Sequence, residues 1–96
     1  CGITYKSNVP DIRNSLALKI FKKLKTKYKH IDCYDPIFNK NLKSIKLKKK
    51  ININKYNLII FLVNHRKFKS MERKIKNKSK ILDLFGFFVK RWIFIM

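Results

Sequence analysis

The chain reads as an α/β fold, a small parallel sheet with helices on both faces. Three observations carry that reading. β-type runs recur at residues 1–5, 31–34, 58–63 and 80–84; helical spacing lies between them at 16–28 and 67–76; and turn-forming or charged residues close each run. Strand and helix in alternation impose parallel pairing, because a parallel neighbour is reached only through a crossover, and such crossovers are right-handed. At 96 residues the chain is a single domain, 1–96, with one core and no room for separate dinucleotide and substrate domains. It starts with Cys1 rather than Met, so it is expected to be a fragment of a longer polypeptide.

Residues 1–5 are small and branched, as in a short strand. Asn8, Pro10 and Asp11 then turn the chain out of it, Pro10 by its fixed φ and the other two by bonding nearby backbone. A helix follows, capped by Asp11, Asn14 or Ser15. Leu16, Ala17, Ile20, Phe21, Leu24 and Tyr28 recur at spacings of three and four on one apolar stripe, opposite Lys19, Lys22, Lys23 and Lys25. The second strand, 31–34, contains Cys33, whose small thiol suits a buried position, and stops at Asp35-Pro36.

Residues 37–57 are the least patterned. Ile45-Lys46-Leu47 has the form of a short edge strand and 51–55 that of a degraded helix. The continuous apolar run 58–63 is the mark of a central parallel strand covered on both faces. It passes through Asn64-His65-Arg66-Lys67-Phe68 into a short basic helix over 67–76 and a last strand over 80–84. Numbered along the chain, these strands assemble in the order 3-2-1-4-5, a Rossmann-like sheet. Its carboxyl edge, where such sheets bind ligands, gathers Tyr5, Lys6, Asp35, Asn64 and His65. His65, at the end of a buried strand, is a turn former or hydrogen-bond partner before it is a ligand contact.

The turn after residue 5 leads into a helix N-terminus, with free N–H groups and the positive dipole end, and Lys6 and Arg13 flank it. An anion such as a diphosphate is favoured there; solvated charges on a turn are the plain alternative. The whole stretch Gly2-Ile3-Thr4-Tyr5-Lys6-Ser7-Asn8-Val9-Pro10-Asp11-Ile12-Arg13-Asn14-Ser15, with Tyr34-Asp35-Pro36 after it, resembles the opening of a known domain. That domain is the C-terminal, UDP-binding domain of the UDP-glucose/GDP-mannose dehydrogenase family: a glycine-aliphatic strand, an aromatic-Lys pair, then Asp-x-Arg before a helix. Asn8-x-Pro10-Asp11-Ile12-Arg13-Asn14 is most similar to the branch that oxidises UDP-N-acetylhexosamines. The likeness is looser over 56–68 and 80–86.

The resemblance implies that Tyr5 and Lys6 touch the UDP-sugar and that Arg13 reaches towards NAD; Asp35, Asn64 and His65, gathered at the sheet's carboxyl edge, are candidates for the site's edge. It implies an N-terminal Rossmann domain holding NAD and a middle region with the catalytic cysteine and the homodimer contact, both outside this chain. The implied reaction is oxidation of the sugar C6 alcohol to a carboxylate in two NAD-dependent steps, supplying uronic acids for surface polysaccharide. No catalytic residue is expected in these residues, and the isolated chain is expected to be inactive. One departure stands out: the family carries a basic residue shortly after the aspartate of the last strand, where this chain has Asp83-Leu84-Phe85-Gly86. The apolar tail 87–96 corresponds to no family feature.

A net charge of +20 would ordinarily point to nucleic acid or an anionic membrane surface. Of the 25 basic residues, however, only Arg13, Arg66, Arg73 and Arg91 are arginine, and Lys, Ile and Asn dominate as in an A/T-biased gene. The Lys-rich segment 43–50 has no interleaved aromatic on which bases would stack. A basic nucleic-acid module and a non-functional gene remnant are therefore kept as alternatives. Cys1 and Cys33 form no CxxC, and His30 and His65 lie outside metal-ligand spacing, so no metal site is expected. The first residues have no basic-then-apolar arrangement and no apolar run reaches membrane length, so no signal peptide and a cytoplasmic protein are expected.

Overall fold

The computed structural model of the chain describes residues 1–38, 40, 42, 45–77 and 80–84. Ser15 settles where the first helix begins. Its hydroxyl accepts from the Leu18 N–H at 3.0 Å and donates to the Ile3 carbonyl at 2.6 Å, so one buried side chain both caps the helix and ties it to the first segment. The helix, α1, runs Leu16–Lys27, with Lys25 and Lys27 at its negative end, and stops at Tyr28, whose backbone is extended. Ala17 and Phe21 of the expected stripe are buried, but Leu16 is 69% and Tyr28 58% exposed. Tyr28 is already past the helix end, and Leu18, outside the expected stripe, packs against the core together with Ile20.

Two parallel strand pairs follow. β1 (Cys33–Tyr34) pairs with β2 (Leu47–Lys48), and β3 (Ile59–Phe61) with β4 (Ile81–Asp83), Ile60 lying opposite Leu82. Between β3 and β4 lies α2 (Phe68–Lys74), giving the expected strand-helix-strand unit; a single 3-10 turn, Ile53–Lys55, stands where a degraded helix was expected over 51–55. The edge strand expected at 45–47 falls at Leu47–Lys48, and Ile45 goes into the core instead.

The described residues form two two-stranded sheets and not one five-stranded ladder, and residues 1–5 are not a regular strand. Their backbone still bonds in both directions. The Gly2 N–H donates to the Tyr34 carbonyl at 2.9 Å, while Cys1 N donates to the Ile60 carbonyl at 2.7 Å and the Cys1 carbonyl accepts from Leu62 N–H at 2.9 Å. The pattern breaks at Ile3, whose N–H turns to a side chain, the Asp35 carboxylate, at 2.7 Å. Gly2 has φ +95°, and a Cβ there would stand 2.8 Å from Val63 Cβ. Both the conformation and the close approach therefore need glycine.

The core lies on two faces. Ile3, Ala17, Phe21, Cys33, Phe38, Ile45, Leu62 and Val63 pack with α1; Ile53, Ile59, Phe61, Phe68 and Ile75 pack with α2. The alternation of β3 divides its residues accordingly, Ile59 and Phe61 to the second cluster and Ile60 to the first. Val63, which strict alternation would place with Ile59 and Phe61, joins the first cluster, because regular strand geometry ends at Phe61. Phe61 and Phe68 meet edge-to-face at 5.2 Å and are both fully buried. The tail 87–96, Phe85-Gly86 of the departure noted above, and Lys43 and Ser44 of the Lys-rich segment lie outside the described residues.

Candidate functional site

The turn that leaves the first segment presents its middle and buries its ends unequally. Thr4 is buried, Tyr5 and Lys6 are exposed, and Asn8 takes φ +62°, a left-handed conformation that asparagine tolerates better than most side chains. The turn closes where the Tyr5 N–H donates to the Asp11 carbonyl, and a second left-handed residue, Asn14 at φ +57°, sends the chain to the Ser15 cap.

Beneath this turn lies His65, fully buried. Its Nδ1 accepts from the Asn8 N–H at 2.9 Å, which assigns the ring proton to Nε2. Nε2 lies 2.9 Å from Asp35 Oδ2 and 3.2 Å from Thr4 Oγ1, and the Thr4 hydroxyl in turn donates to the Lys6 carbonyl at 3.0 Å. Phe68 stacks obliquely on the imidazole at 5.2 Å. Asp35 also accepts the N–H groups of Ile3, Ile37 at 2.8 Å and Phe38 at 3.1 Å. Burial on its own would raise the Asp35 carboxyl, but hydrogen bonds from His65 and from the Ile3 and Ile37 amides outweigh it and hold the group below the usual carboxylate range.

Further bonds pin the turn to the passage after β3. The Ser7 hydroxyl donates to Asn64 Oδ1, and Asn8 Oδ1 accepts from the Arg66 N–H at 2.8 Å. The structure thus places Asp35 and His65 buried beneath the turn and not on the surface, with half-buried Asn64 as a tie between two loops. The Thr4, His65 and Asp35 side chains do not form a nucleophilic relay, because Thr4 and Asp35 share one ring nitrogen where a relay needs both. What the cluster can do is hold backbone.

The exposed groups face solvent beside it. Arg13 is 86% exposed and binds Asp11 with Nη2 to Oδ2 at 2.8 Å and Nε to both oxygens at 3.1 and 3.2 Å. The guanidinium's hydrogen bonds pull the Asp11 carboxyl down to about 2. Because α1 begins at Leu16, Arg13 stands in the turn before the helix and not within its first turn. Sequence reasoning missed Thr4 and the part played by Asn8. Asn8 had a usable signal, since an asparagine in a turn is a candidate for positive φ; nothing around Thr4 distinguished it from an ordinary strand residue.

A groove of about 400 Å³ lies away from this turn, lined among others by His30, Asp32, Tyr56 and Leu58, residues that precede β1 and β3 and so belong to the amino ends of the strands. Among the described residues no group of three or more His, Cys, Asp or Glu could hold a metal ion, and no helix is long and apolar enough to cross a membrane. No curated protein and no solved structure matches the chain. The sequence model of the UDP-glucose/GDP-mannose dehydrogenase family, UDP binding domain, matches residues 1–90.

Proposed function

The chain belongs to the UDP-glucose/GDP-mannose dehydrogenase family, as its UDP-binding domain, and from that premise we propose that its Tyr5-Lys6 turn binds the UDP-sugar of a nucleotide-sugar 6-dehydrogenase. The observation that carries the reading is an exposed aromatic-Lys pair on a turn whose two ends are anchored by hydrogen bonds to the buried His65 ring. A Lys6 ammonium on such a turn meets a diphosphate oxygen through a charge-assisted bond, and Tyr5 sets an aromatic face beside it. Arg13 is the group that reaches NAD. Arg13 itself is open to solvent and its partner Asp11 only half-buried, so exchanging one anion for another costs little.

NAD finds no seat of its own in these residues. Gly2 and Gly86 are the two glycines of the sequence, too few and too far apart for the glycine-rich run that cradles a pyrophosphate, so no redox step is assigned to this chain. In this reading 1–96 is one domain of a longer enzyme, a cytoplasmic homodimer when whole, whose other parts hold NAD and the catalytic cysteine. The substrate is a UDP-N-acetylhexosamine, by the likeness through Asn8, Pro10, Asp11, Arg13 and Asn14, and the product a uronic acid for surface polysaccharide. The order 3-2-1-4-5 belongs to the same reading, and the bonds from residues 1–2 to Tyr34 on one side and to Ile60 and Leu62 on the other support it.

Calorimetric titration with a UDP-N-acetylhexosamine tests the turn. Lys6→Ala is expected to weaken binding by roughly 1.5–3 kcal/mol, the worth of a hydrogen bond to a charged group. The paired change Lys48→Ala/Lys49→Ala, on an exposed stretch elsewhere, is expected to change nothing. Equal losses from both would mean that general positive charge draws the anion, and the reading would fall.

A further inference from the structure

We propose that His65 is a positioning residue for nucleotide binding: its buried ring holds both ends of the turn 4–8, so that Lys6, at the centre, is presented to the ligand. The proposal rests on the reading of that turn given above. The geometry is that of a clamp. Nε2 holds Thr4 at one end at 3.2 Å and Nδ1 holds the Asn8 amide at the other at 2.9 Å, while the Lys6 carbonyl between them is tied back to Thr4 at 3.0 Å.

The clamp is itself fixed. Asp35 takes the Nε2 side of the ring at 2.9 Å and is anchored by the Ile37 and Phe38 amides just past β1, and Phe68 covers the ring. The loops that leave β1 and β3 therefore meet at this ring, and the turn inherits its position from both. The Asn8 side chain is tied separately to the Arg66 amide, so the His65 ring is what holds the Asn8 backbone amide in its φ +62° conformation. A preorganised turn binds more tightly because less ordering remains to be done when the ligand arrives.

The experiment uses the full 96-residue chain and UDP as the probe, with calorimetry for affinity and amide hydrogen exchange for the turn. His65→Gln keeps a donor for Asp35 but leaves no acceptor at the Nδ1 position. Its Asn8 amide is expected to lose protection, and UDP affinity to fall on the order of tenfold. Ile75→Ala, a core change in the other cluster, is expected to lower the melting point while leaving UDP affinity at the parent value. The double variant His65→Gln/Lys6→Ala should bind no more weakly than Lys6→Ala alone. Should His65→Gln fail to fold, Thr4→Val removes the hydroxyl of the same clamp and is expected to lower affinity in the same direction by less. Parent-like affinity in the clamp variant, while Lys6→Ala still loses binding, overturns the positioning role alone. If Lys6→Ala binds like the parent, the reading of the turn fails and the proposal falls with it.

Discussion

Asp35 and His65 meet at 2.9 Å with both side chains fully buried, whereas Asp11 and Arg13 meet at 2.8 Å with side chains 30% and 86% exposed. The distances hardly differ; the surroundings do. In the buried pair every change of partner leaves a polar group stranded in the core, so the pair acts as a fixed mount for the turn above it. In the exposed pair water stands ready to replace either partner, so Arg13 can leave Asp11 at little cost. Two acid–base contacts of nearly equal length thus differ in what they do, one holding backbone and the other leaving its charge open to solvent.

The largest expected effect follows from breaking the buried side. Asp35→Ala strips the acceptor from His65 and from the Ile3, Ile37 and Phe38 amides at once, and should cost about 3–5 kcal/mol in denaturant unfolding. A domain of this size has little more than that to lose. The same carboxyl also sets an acid limit. Its folded-state value lies below the ordinary one, so the unfolded chain takes up the proton first. The stability it contributes is present above the ordinary carboxylate range near ~4 and is lost as pH falls through the lower folded value. Parent-like stability for Asp35→Ala would mean that the buried pair holds nothing.

The exposed side should break quietly. Arg13→Ala is expected to leave the melting midpoint where it is, while the Asp11 carboxyl, followed by NMR, returns from about 2 towards the ordinary range. A clear loss of stability on that change would erase the contrast between the two pairs.

The order of elements was legible because it follows from local pattern: the 3.6-residue spacing of Ala17 and Phe21, the apolar run through Ile59 and Phe61, and the His65-to-Phe68 passage into α2. The interruption of the sheet was not. It arises where an Asp35 side chain, thirty-two positions away in sequence, takes an amide that a neighbouring strand would have taken, and no local pattern reports that. Tyr5, Lys6 and Arg13 were readable as surface chemistry, since charge and aromaticity show in single residues. The clamp was half readable. His65 looked like a hydrogen-bond partner, but its partners Thr4 and Asn8 lie 61 and 57 residues away and come together only in the fold. Residues 37–57 are rich in Lys and Asn with no periodicity, and the described ones among them yielded two-residue pairing and a single 3-10 turn, too short for any pattern to mark.

The most direct measurement is a titration of the isotope-labelled chain with UDP, following every backbone amide. Shifts concentrated on Tyr5, Lys6 and the residues through Arg13, with the Asn8 amide staying protected throughout, are the predicted result. Shifts of equal size spread over Lys19, Lys22, Lys23 and residues 46–50, with the turn no different from the rest, would contradict it and leave only a diffuse attraction between a +20 chain and an anion.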